Sequence, residues 1–397
     1  MSGKSIYYRK KIIRQLYFEN LLSCSDISER IERSIPLTTR MLNELISEGA
    51  VMETGHAPST GGRRPLVYAI KPDIMYVVAV AMDQFVSRIA ILDMHNRFVS
   101  PVAKFDLPLA NAYDALEMVS EKINGLIEKS GINKANISGV GIGMPGFVDL
   151  EKGVNYSFFE TKQQSITEYI EEKVGLPVFI DNDSSVIALA ELRFGAAKNR
   201  KNAMVINIGW GIGLGLILNG ALFRGNNGFA GEFSHMPLFS NGKICSCGKS
   251  GCLETEASLA VVAEKAQTGL DNGSVSVLNF IPENYEQASE AIINAAVRGD
   301  KFSIELLSES GYNIGRAAAI LIHVLNPEVI ILSGRGASAG KVWQAPIQQA
   351  INEHCIPRLA EKTSIGVSSL GHEAELIGAA ALVMEHYEQG ISSNLRN

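Results

Sequence analysis

Apolar residues in the N-terminal part of the chain recur at helical spacing in three short segments, which predicts three short helices. Serines precede the second and third segments, where a hydroxyl can accept a backbone N–H and begin a helix. Gly49 ends the third helix, and short runs at 50–54 and 67–69 predict a β-hairpin. The apolar faces comprise Ile12, Ile13, Leu16 and Tyr17, then Ile27 and Ile31, then Leu37, Met41, Leu42 and Leu45.

Three helices followed by a hairpin form the layout of a winged helix-turn-helix, whose third helix enters the major groove of DNA. The hairpin loop contains two glycines followed by two arginines, which can reach an adjacent minor groove. The alternative is a three-helix interaction module with a solvated basic face. The predicted DNA-binding residues are Thr38, Thr39, Arg40 and Asn43 on the exposed side of the third helix, and Arg63 and Arg64 in the wing.

From residue 73 onward, short β-rich runs alternate with helical stretches, a pattern typical of α/β domains. Runs at 76–81 and 88–92 predict a tight hairpin, and a glycine-rich hairpin is predicted at 205–218. Between them, the strand 176–183 ends in polar residues and leads into a helix, which is where α/β folds place ligands. Further helices are predicted at 115–127, 184–194, 259–266, 286–298, 302–325 and 373–388.

Length and charge refine this organisation. A chain of 397 residues suggests two or three domains. The net charge is −6, but residues 1–72 hold eleven Lys and Arg against seven Asp and Glu, so a basic head precedes an acidic body and is the part expected to meet a polyanion. The longest apolar run, 74–82, falls far short of the roughly 20 residues that span a bilayer. We therefore expect no membrane segment, no signal peptide and a cytoplasmic location.

The stretch from Gly231 to Glu256 concentrates the candidate chemistry. Cys245, Cys247 and Cys252 are separated by a C-x-C-x4-C spacing with glycines between them, so that a short loop can turn three thiolates to one point. With His235 they form a Cys3His set, which satisfies tetrahedral zinc, leaves no open position and predicts a structural Zn²⁺ site. The alternatives are buried structural cysteines beside a chance histidine, or disulfides, which an odd trio disfavours.

The motif H-x9-C-x-C-G-x2-G-C-x-E in this stretch resembles the signature of the ROK family of repressors, open reading frames and kinases. The resemblance covers about residues 75–385, and Ser234 departs from the family's usual glycine. It implies a two-lobed actin-like (ribonuclease-H-like) ATPase fold of the α/β class. It also implies that the zinc histidine and two glutamates contact a hexose, and that the polar end of strand 176–183 does so too. The implied sugar-binding residues are Asn182, Asp183, Glu232, His235 and Glu254.

Both phosphate-binding turns of the resembling kinases are altered in this sequence. The kinases carry D-x-G-G-T at the first turn, where this chain has Ala81, Asp83 and Phe85 in place of the aspartate, the first glycine and the threonine. At the second turn, Trp210 replaces a hydroxyl donor. A carboxylate and bulky rings hinder the approach of an anionic phosphate to backbone amides, so we expect no catalytic residues and no kinase activity.

The sequence thus predicts a sugar-responsive transcriptional regulator that represses carbohydrate-metabolism genes. Its expected partners are operator DNA, a hexose, amino-sugar or sugar-phosphate effector in the interlobe cleft, and further copies of itself as a homodimer or homotetramer. The alternatives are an ATP-dependent sugar kinase, which Asp183 favours, and a metal or redox sensor. The predicted domains are the winged helix-turn-helix at 1–72, a first lobe at 73–190 on which a C-terminal helix at 371–397 packs back, and a second lobe with the zinc loop at 191–370.

Overall fold

The computed structural model describes residues 3–57, 64–107, 109, 112–159, 164–240 and 242–388, which form two compact units. The first unit extends to Asp181 and includes the chain again from Ala379, whereas the second comprises Asn182–Gly378. Among the described residues, none of the helices combines the length and the apolar character needed to cross a bilayer.

The N-terminal part of the first unit is a winged helix-turn-helix, as predicted. Its strands form one antiparallel sheet in the order β1-β3-β2, so the hairpin packs beside the helices as a wing. Ser23 begins α2, because its hydroxyl accepts the amide of Asp26 while the Asp26 carboxylate accepts the amide of Ser23. The elements are α1 (Gly3–Glu19), β1 (Leu22–Ser23), α2 (Cys24–Arg30), α3 (Ile35–Ser47), β2 (Val51–His56) and β3 (Leu66–Ile70).

Thr38 does not lie on the exposed side of α3, and its prediction as a DNA contact is corrected. Its side chain is fully buried, and its hydroxyl donates to the carbonyl of Ser34 at 3.1 Å. Thr38 precedes the buried Met41 by three residues and the buried Leu45 by seven, so helical periodicity places it on the core face. A threonine can lie there because the carbonyl one turn earlier satisfies its hydroxyl.

The basic residues of α1 also differ from expectation, since they are engaged within the first unit. Arg9 is 9% exposed and forms ion pairs with Glu48 and with Glu44 near the end of α3. Arg14 pairs with Glu385 at 2.5 Å and with Glu388 at 3.3 Å. The positive charge of the head is therefore partly neutralised by acidic residues of the same unit.

A five-stranded sheet forms the rest of the first unit, in the order β10-β7-β4-β5-β6. Strands β4, β5 and β6 are antiparallel neighbours, and β7 runs parallel to β4. Apolar residues of α4, such as Leu116 and Ile123, share one core with strand residues such as Val80 and Ile142. The elements are β4 (Tyr76–Met82), β5 (Val86–Asp93), β6 (Ala103–Asp106), α4 (Ala112–Ser130), β7 (Ile137–Met144), β8 (Val148–Asp149), β9 (Val154–Asn155), α5 (Ile166–Val174) and β10 (Val178–Asn182).

The second unit repeats this architecture with a sheet in the order β13-β12-β11-β14-β15. Here β11, β12 and β13 are antiparallel, while β14 and β15 continue in parallel. The elements are α6 (Asp183–Phe194), β11 (Ala203–Ile208), β12 (Ile212–Leu218), β13 (Ala221–Phe223), α7 (Glu254–Ala257), α8 (Leu259–Asp271), α9 (Tyr285–Val297), α10 (Lys301–Leu325), β14 (Val329–Ser333), α11 (Lys341–His354), α12 (Pro357–Ala360) and β15 (Ser364–Val367). The last helix, α13 (Ala374–Glu385), begins in the second unit and belongs to the first unit from Ala379. The repeated sheet order confirms the predicted actin-like fold.

The helix α6 lies at the start of the second unit, whereas the predicted boundary at residue 190 fell within this helix. Two glycines of β12 allow it to lie directly on the second sheet. A Cβ on Gly213 would lie 1.8 Å from the hydroxyl of Ser184, and a Cβ on Gly215 would lie 2.2 Å from the Cβ of Ala188. The residues at the start of α6 are therefore carried by the second unit.

Candidate functional site

The four predicted metal ligands lie together in the loop between β13 and α7. The Nδ1 atom of His235 is 3.4 Å from the Sγ of Cys245, and the sulfurs of Cys247 and Cys252 are 3.6 Å apart. All four ligand atoms lie within 4.8 Å of one another. A tetrahedral zinc with ordinary bond lengths requires S–N and S–S separations of about 3.5 and 3.8 Å. The donor set therefore fits zinc with only small adjustments.

Backbone contacts within the loop explain why this spacing works. Gly251 has a φ of +76°, and a Cβ there would lie 1.9 Å from the carbonyl oxygen of Phe239, so only glycine fits. The amide of Cys245 donates to the carbonyl of Lys249 at 2.7 Å, which closes the turn that carries Cys247. The glycines of the sequence motif thus shape the loop that turns its sulfurs inward.

The thiols of this cluster differ in acidity. The backbone amide of Lys249 donates to the sulfur of Cys247 and lowers its pKa. Burial, followed by hydrogen bonds with the other two thiols, raises the pKa of Cys252 to about 12. A metal that binds these sulfurs as thiolates would supply the positive charge that offsets the repulsion between them.

The second ring nitrogen of His235 links the cluster to a carboxylate. Its Nε2 atom lies 3.7 Å from an oxygen of Glu232. Burial raises the pKa of Glu232, His235 opposes that rise, and the nearby carboxylate of Glu254 adds to it. One nitrogen of this imidazole therefore faces Cys245 and the other faces the Glu232 carboxylate, and such a carboxylate helps to orient a histidine that binds a metal.

Glu254 follows the last cysteine by two residues and begins α7. Its Oε2 atom lies 2.6 Å from the point where a Cβ on Gly211 would be, so its carboxylate rests against the turn between β11 and β12. The amide of Leu259 donates to the carbonyl of Gly209 in the same turn at 3.0 Å. The end of the cysteine loop is thereby fixed to this hairpin.

The residues at the start of α6 have separate contacts. The side-chain oxygen of Asn182 accepts the amides of Ser184 and Ser185, at 2.9 and 3.2 Å, so Asn182 caps the helix. One oxygen of Asp183 accepts the Ser184 amide at 2.7 Å, and the other lies 3.4 Å from the Nδ2 of Asn207. Asn207 was not predicted from the sequence, because its contact with Asp183 arises from the packing of α6 on β11.

All five predicted sugar-binding residues belong to the second unit, and the three acidic ones border the β11–β12 hairpin. Asp183 reaches it through Asn207 of β11, and Glu254 through the turn. Glu232 does so through its neighbour Gly231, where a Cβ would lie 2.2 Å from the carbonyl oxygen of Leu214 in β12. Carboxylate and amide side chains thus lie around the hairpin, where they can accept hydrogen bonds from hydroxyl groups and, for the amides, also donate to them.

The turn of that hairpin is filled by an aromatic cluster. Trp210 is 6% exposed, and its ring centroid lies 5.9 Å from that of Tyr285 in α9. The guanidinium of Arg335, which follows β14, lies 5.0 Å from the Trp210 ring and pairs with Glu286 at 2.9 Å. The sequence analysis identified Trp210 but none of these partners, which come from distant parts of the chain.

The corresponding turn of the first unit, between β4 and β5, is closed by its own aspartate. One oxygen of Asp83 accepts the amide of Phe85 at 2.8 Å and the amide of Val86 at 2.7 Å. Such an Asx turn gives the two backbone donors a carboxylate partner from within the chain. Phe85 is 41% exposed, and Ala81 is buried in β4.

The predicted DNA-binding residues are partly accessible. Thr39, Arg40 and Asn43 are exposed on α3, and Arg64 is exposed just before β3. Thr38 is buried, as described above, and Arg63 lies outside the described residues. Two faces of the winged helix-turn-helix thus carry accessible polar or basic side chains.

Comparison with known proteins decides the family. The sequence profile of the ROK family matches residues 89–386. This chain belongs to the ROK family. Among ROK relatives, it is 29% identical to a xylose repressor of Caldicellulosiruptor bescii over 385 residues, 94% of each chain. It is also 32% identical to a glucokinase of Halalkalibacterium halodurans over 292 residues, 72% of this chain and 88% of the other. These matches confirm the resemblance identified in the sequence.

A solved structure extends the likeness to the fold of the whole ROK chain. A ROK family transcriptional regulator, described as a homologue of the E. coli MLC protein, superposes with a TM-score of 0.79 at 24% identity. The superposition covers 98% of each chain, whereas the glucokinase relative leaves more than a quarter of this chain unmatched. The fold of this ROK protein, head included, is thus that of a solved regulator.

Proposed function

We propose that this ROK protein is a sugar-responsive transcriptional regulator that represses carbohydrate-metabolism genes from the cytoplasm. The observation that carries the proposal is the match along 94% of both chains to a protein named as a xylose repressor. A winged helix-turn-helix and a cluster of carboxylates and amides occur together in one chain. The first suits operator DNA, and the second suits sugar hydroxyls.

The effector site in this proposal comprises Asn182, Asp183, Glu232, His235 and Glu254, which bind a hexose, an amino sugar or a sugar phosphate. A structural Zn²⁺ held by His235, Cys245, Cys247 and Cys252 supplies the positive charge that keeps three thiolates together. The separations of 3.4 and 3.6 Å within the cluster support this assignment. The metal has no open position, so its role is to hold the loop between Glu232 and Glu254.

The regulator is proposed to be without kinase activity. The two amides of the β4–β5 turn are already bonded to Asp83, so a phosphate would have to displace a carboxylate. The β11–β12 turn is filled by Trp210 with Arg335 over its ring. Both observations favour recognition of a sugar over phosphoryl transfer to it.

On the DNA side, Thr39, Arg40 and Asn43 are proposed to enter the major groove, with Arg63 and Arg64 of the wing beside it. In a homodimer or homotetramer, two heads must match half-sites about one helical turn or a multiple apart. A sugar that changes the spacing of the heads therefore changes operator affinity, with a coupling of about 1–3 kcal/mol as in other allosteric proteins.

The test combines sugar binding with DNA binding on the zinc-loaded full chain. D-xylose, D-glucose and N-acetyl-D-glucosamine are compared by thermal shift, and affinity for DNA from upstream of the protein's own gene is measured by fluorescence anisotropy. We expect one sugar to raise the unfolding temperature and to change DNA affinity at least about 5-fold. In Glu254→Gln, the sugar effect should be lost while affinity for DNA without sugar is retained.

Two outcomes would overturn the proposal in favour of its alternatives. ATP-dependent phosphorylation of one of the three sugars at about 1 s⁻¹ or faster would identify a kinase. Release of DNA by peroxide or by a zinc chelator, with no response to any of the sugars, would identify a redox or metal sensor.

A further inference from the structure

Asn207 occupies a position in the second unit to which neither motif nor family signature assigns a role. It lies on β11 directly opposite Gly213 of β12. Its Nδ2 atom is 3.4 Å from an oxygen of Asp183 and 3.3 Å from the hydroxyl of Ser184. One amide group therefore contacts both of the first two residues of α6.

The surroundings of Asn207 fix which way its amide points. A carboxylate can only accept hydrogen bonds, so the nitrogen must face Asp183. The opposite side, the Oδ1 atom, lies 2.1 Å from the position that a Cβ on Gly334 would occupy. Gly334 has a φ of +79°, so this turn after β14 favours glycine and leaves room for the amide oxygen. The amide is thus confined between the start of α6 and the Gly334 turn.

The carboxylate of Asp183 needs such a partner if it is to present a defined acceptor. One of its oxygens already accepts the Ser184 amide at 2.7 Å. The same oxygen lies 3.2 Å from the hydroxyl of Ser184, and the other oxygen lies 3.4 Å from the Asn207 nitrogen, so the carboxylate is contacted on both of its oxygens. A group held in this way does not have to be ordered when a ligand binds, and this favours affinity.

We propose that Asn207 is a positioning residue of the effector site, which orients the Asp183 carboxylate towards one hydroxyl of the sugar. The inference rests on the proposed function, because it assumes that Asp183 accepts a hydrogen bond from the effector. It adds a requirement, namely that residue 207 donates a hydrogen bond. A carboxylate there is expected to fail, although it has nearly the same shape as the amide.

The matched pair of variants is Asn207→Asp and Asn202→Asp. Both residues are partly buried, and both belong to the same stretch of chain. Among the residues that the structure describes, the hydrogen bond of the Asn202 side chain is the one its oxygen accepts from the amide of Asn219 at 3.1 Å, and aspartate keeps that oxygen. Asn207 uses its nitrogen, which aspartate lacks. The two variants therefore make one chemical change at a control position and at the proposed one.

The experiment measures dissociation constants of D-xylose, D-glucose and N-acetyl-D-glucosamine by calorimetry on the full chain at pH 7.5 and 5.5. For the sugar that binds, Asn207→Asp should weaken affinity at least about 10-fold at pH 7.5, because two carboxylates then repel each other. The loss should shrink at pH 5.5 relative to the wild type, since the pair can share one proton. Asn202→Asp should follow the wild type at both pH values.

A cycle on the unliganded protein tests the contact itself. Asn207→Asp should lower the unfolding temperature in the wild-type background and lower it less in Asp183→Asn, where the repulsion is absent. Wild-type affinity and pH profile in Asn207→Asp, or an equal loss in both backgrounds, would overturn the inference and leave the proposed function standing. A wild type that binds none of the three sugars and responds to none on DNA would instead overturn the proposed function.

Discussion

The two units share one sheet order and differ in what their side chains do at equivalent turns. In the first unit, the β4–β5 turn is closed by a single carboxylate, that of Asp83. In the second, the β11–β12 turn holds Trp210, with Arg335 and Tyr285 from distant elements packed around it. In the same topology, one turn is held by a neighbouring residue in sequence, and the other is packed by side chains from distant parts of the chain.

The difference extends to the chemistry of each unit. The four metal ligands, three acidic residues of the candidate site and Asn207 all belong to the second unit. The first unit carries the winged helix-turn-helix, and its ion pairs join α1 to the end of α13. The topology alone therefore does not determine the function, which depends on the side chains that each unit carries. Under the proposed function, the second unit binds the sugar and the first unit binds DNA.

The largest expected effect is the loss of the metal from the second unit when a ligand is replaced. Cys252 is fully buried, so Cys252→Ser should reduce bound zinc from about one ion per chain to nearly none and unfold the loop that carries Glu232 and Glu254. Sugar binding should disappear with the metal. Zinc content by mass spectrometry and the unfolding temperature measure both effects.

Cys355→Ser is the matched control for the loss of zinc, because Cys355 is also a buried thiol of the second unit and lies outside the cluster. It should retain its zinc and lose only a few degrees of thermal stability. Full zinc content and sugar binding in Cys252→Ser would contradict the assignment of the loop as a metal site.

A smaller effect separates the two turns from each other. Trp210→Ala removes a buried ring and should cost about 3–5 kcal/mol, whereas Asp83→Ala removes a carboxylate that caps two amides and should cost about 1 kcal/mol. The other tryptophan, Trp343, is also buried in the second unit, so its fluorescence follows the urea unfolding of that unit in Trp210→Ala. Circular dichroism follows Asp83→Ala. Equal costs would mean that the aromatic cluster adds no more to stability than a capped turn.

The parts of the molecule that local sequence determines were predicted well. The clustering of His235 with the three cysteines is one example, since these residues and the glycines among them lie within a short stretch and their spacing restricts the geometry. The apolar stripes of the head helices are another, because periodicity alone identifies Ile12, Leu16 and Leu45 as core residues. The actin-like fold followed from a motif whose residues are adjacent in sequence.

The features that sequence did not reveal depend on pairs that only folding brings together. Asn207 contacts Asp183 because α6 packs on β11, and Arg335 contacts Trp210 from the turn after β14. No spacing in the sequence indicates either partner. Thr38 was misplaced because a polar residue was assigned to the exposed face, although the helical period put it between buried neighbours. Likewise, the basic residues of α1, such as Arg9 and Arg14, are visible in the sequence, but the glutamates with which they form ion pairs are not.

The last pair of variants concerns the first unit alone. Arg14 is largely buried between Glu385 and Glu388, and Arg14→Met should cost roughly 2 kcal/mol because it leaves two carboxylates without their cation. Arg30→Met is the control, since its ion pair with Glu19 is more exposed and should be worth at most about 0.5 kcal/mol. Urea unfolding followed by circular dichroism measures both variants.

Arg14→Met also tests whether sugar binding can be separated from the effect of sugar on DNA affinity. The ion pairs join α1 of the head to the end of α13, a helix whose first residues belong to the second unit. If they transmit the response, Arg14→Met should bind sugar with wild-type affinity, because the candidate site lies entirely in the second unit, and yet show a weaker effect of sugar on DNA affinity. Arg30→Met should keep the full effect. A variant that loses sugar affinity itself would contradict the division between the two units, since a change confined to the first would then have altered the sensor.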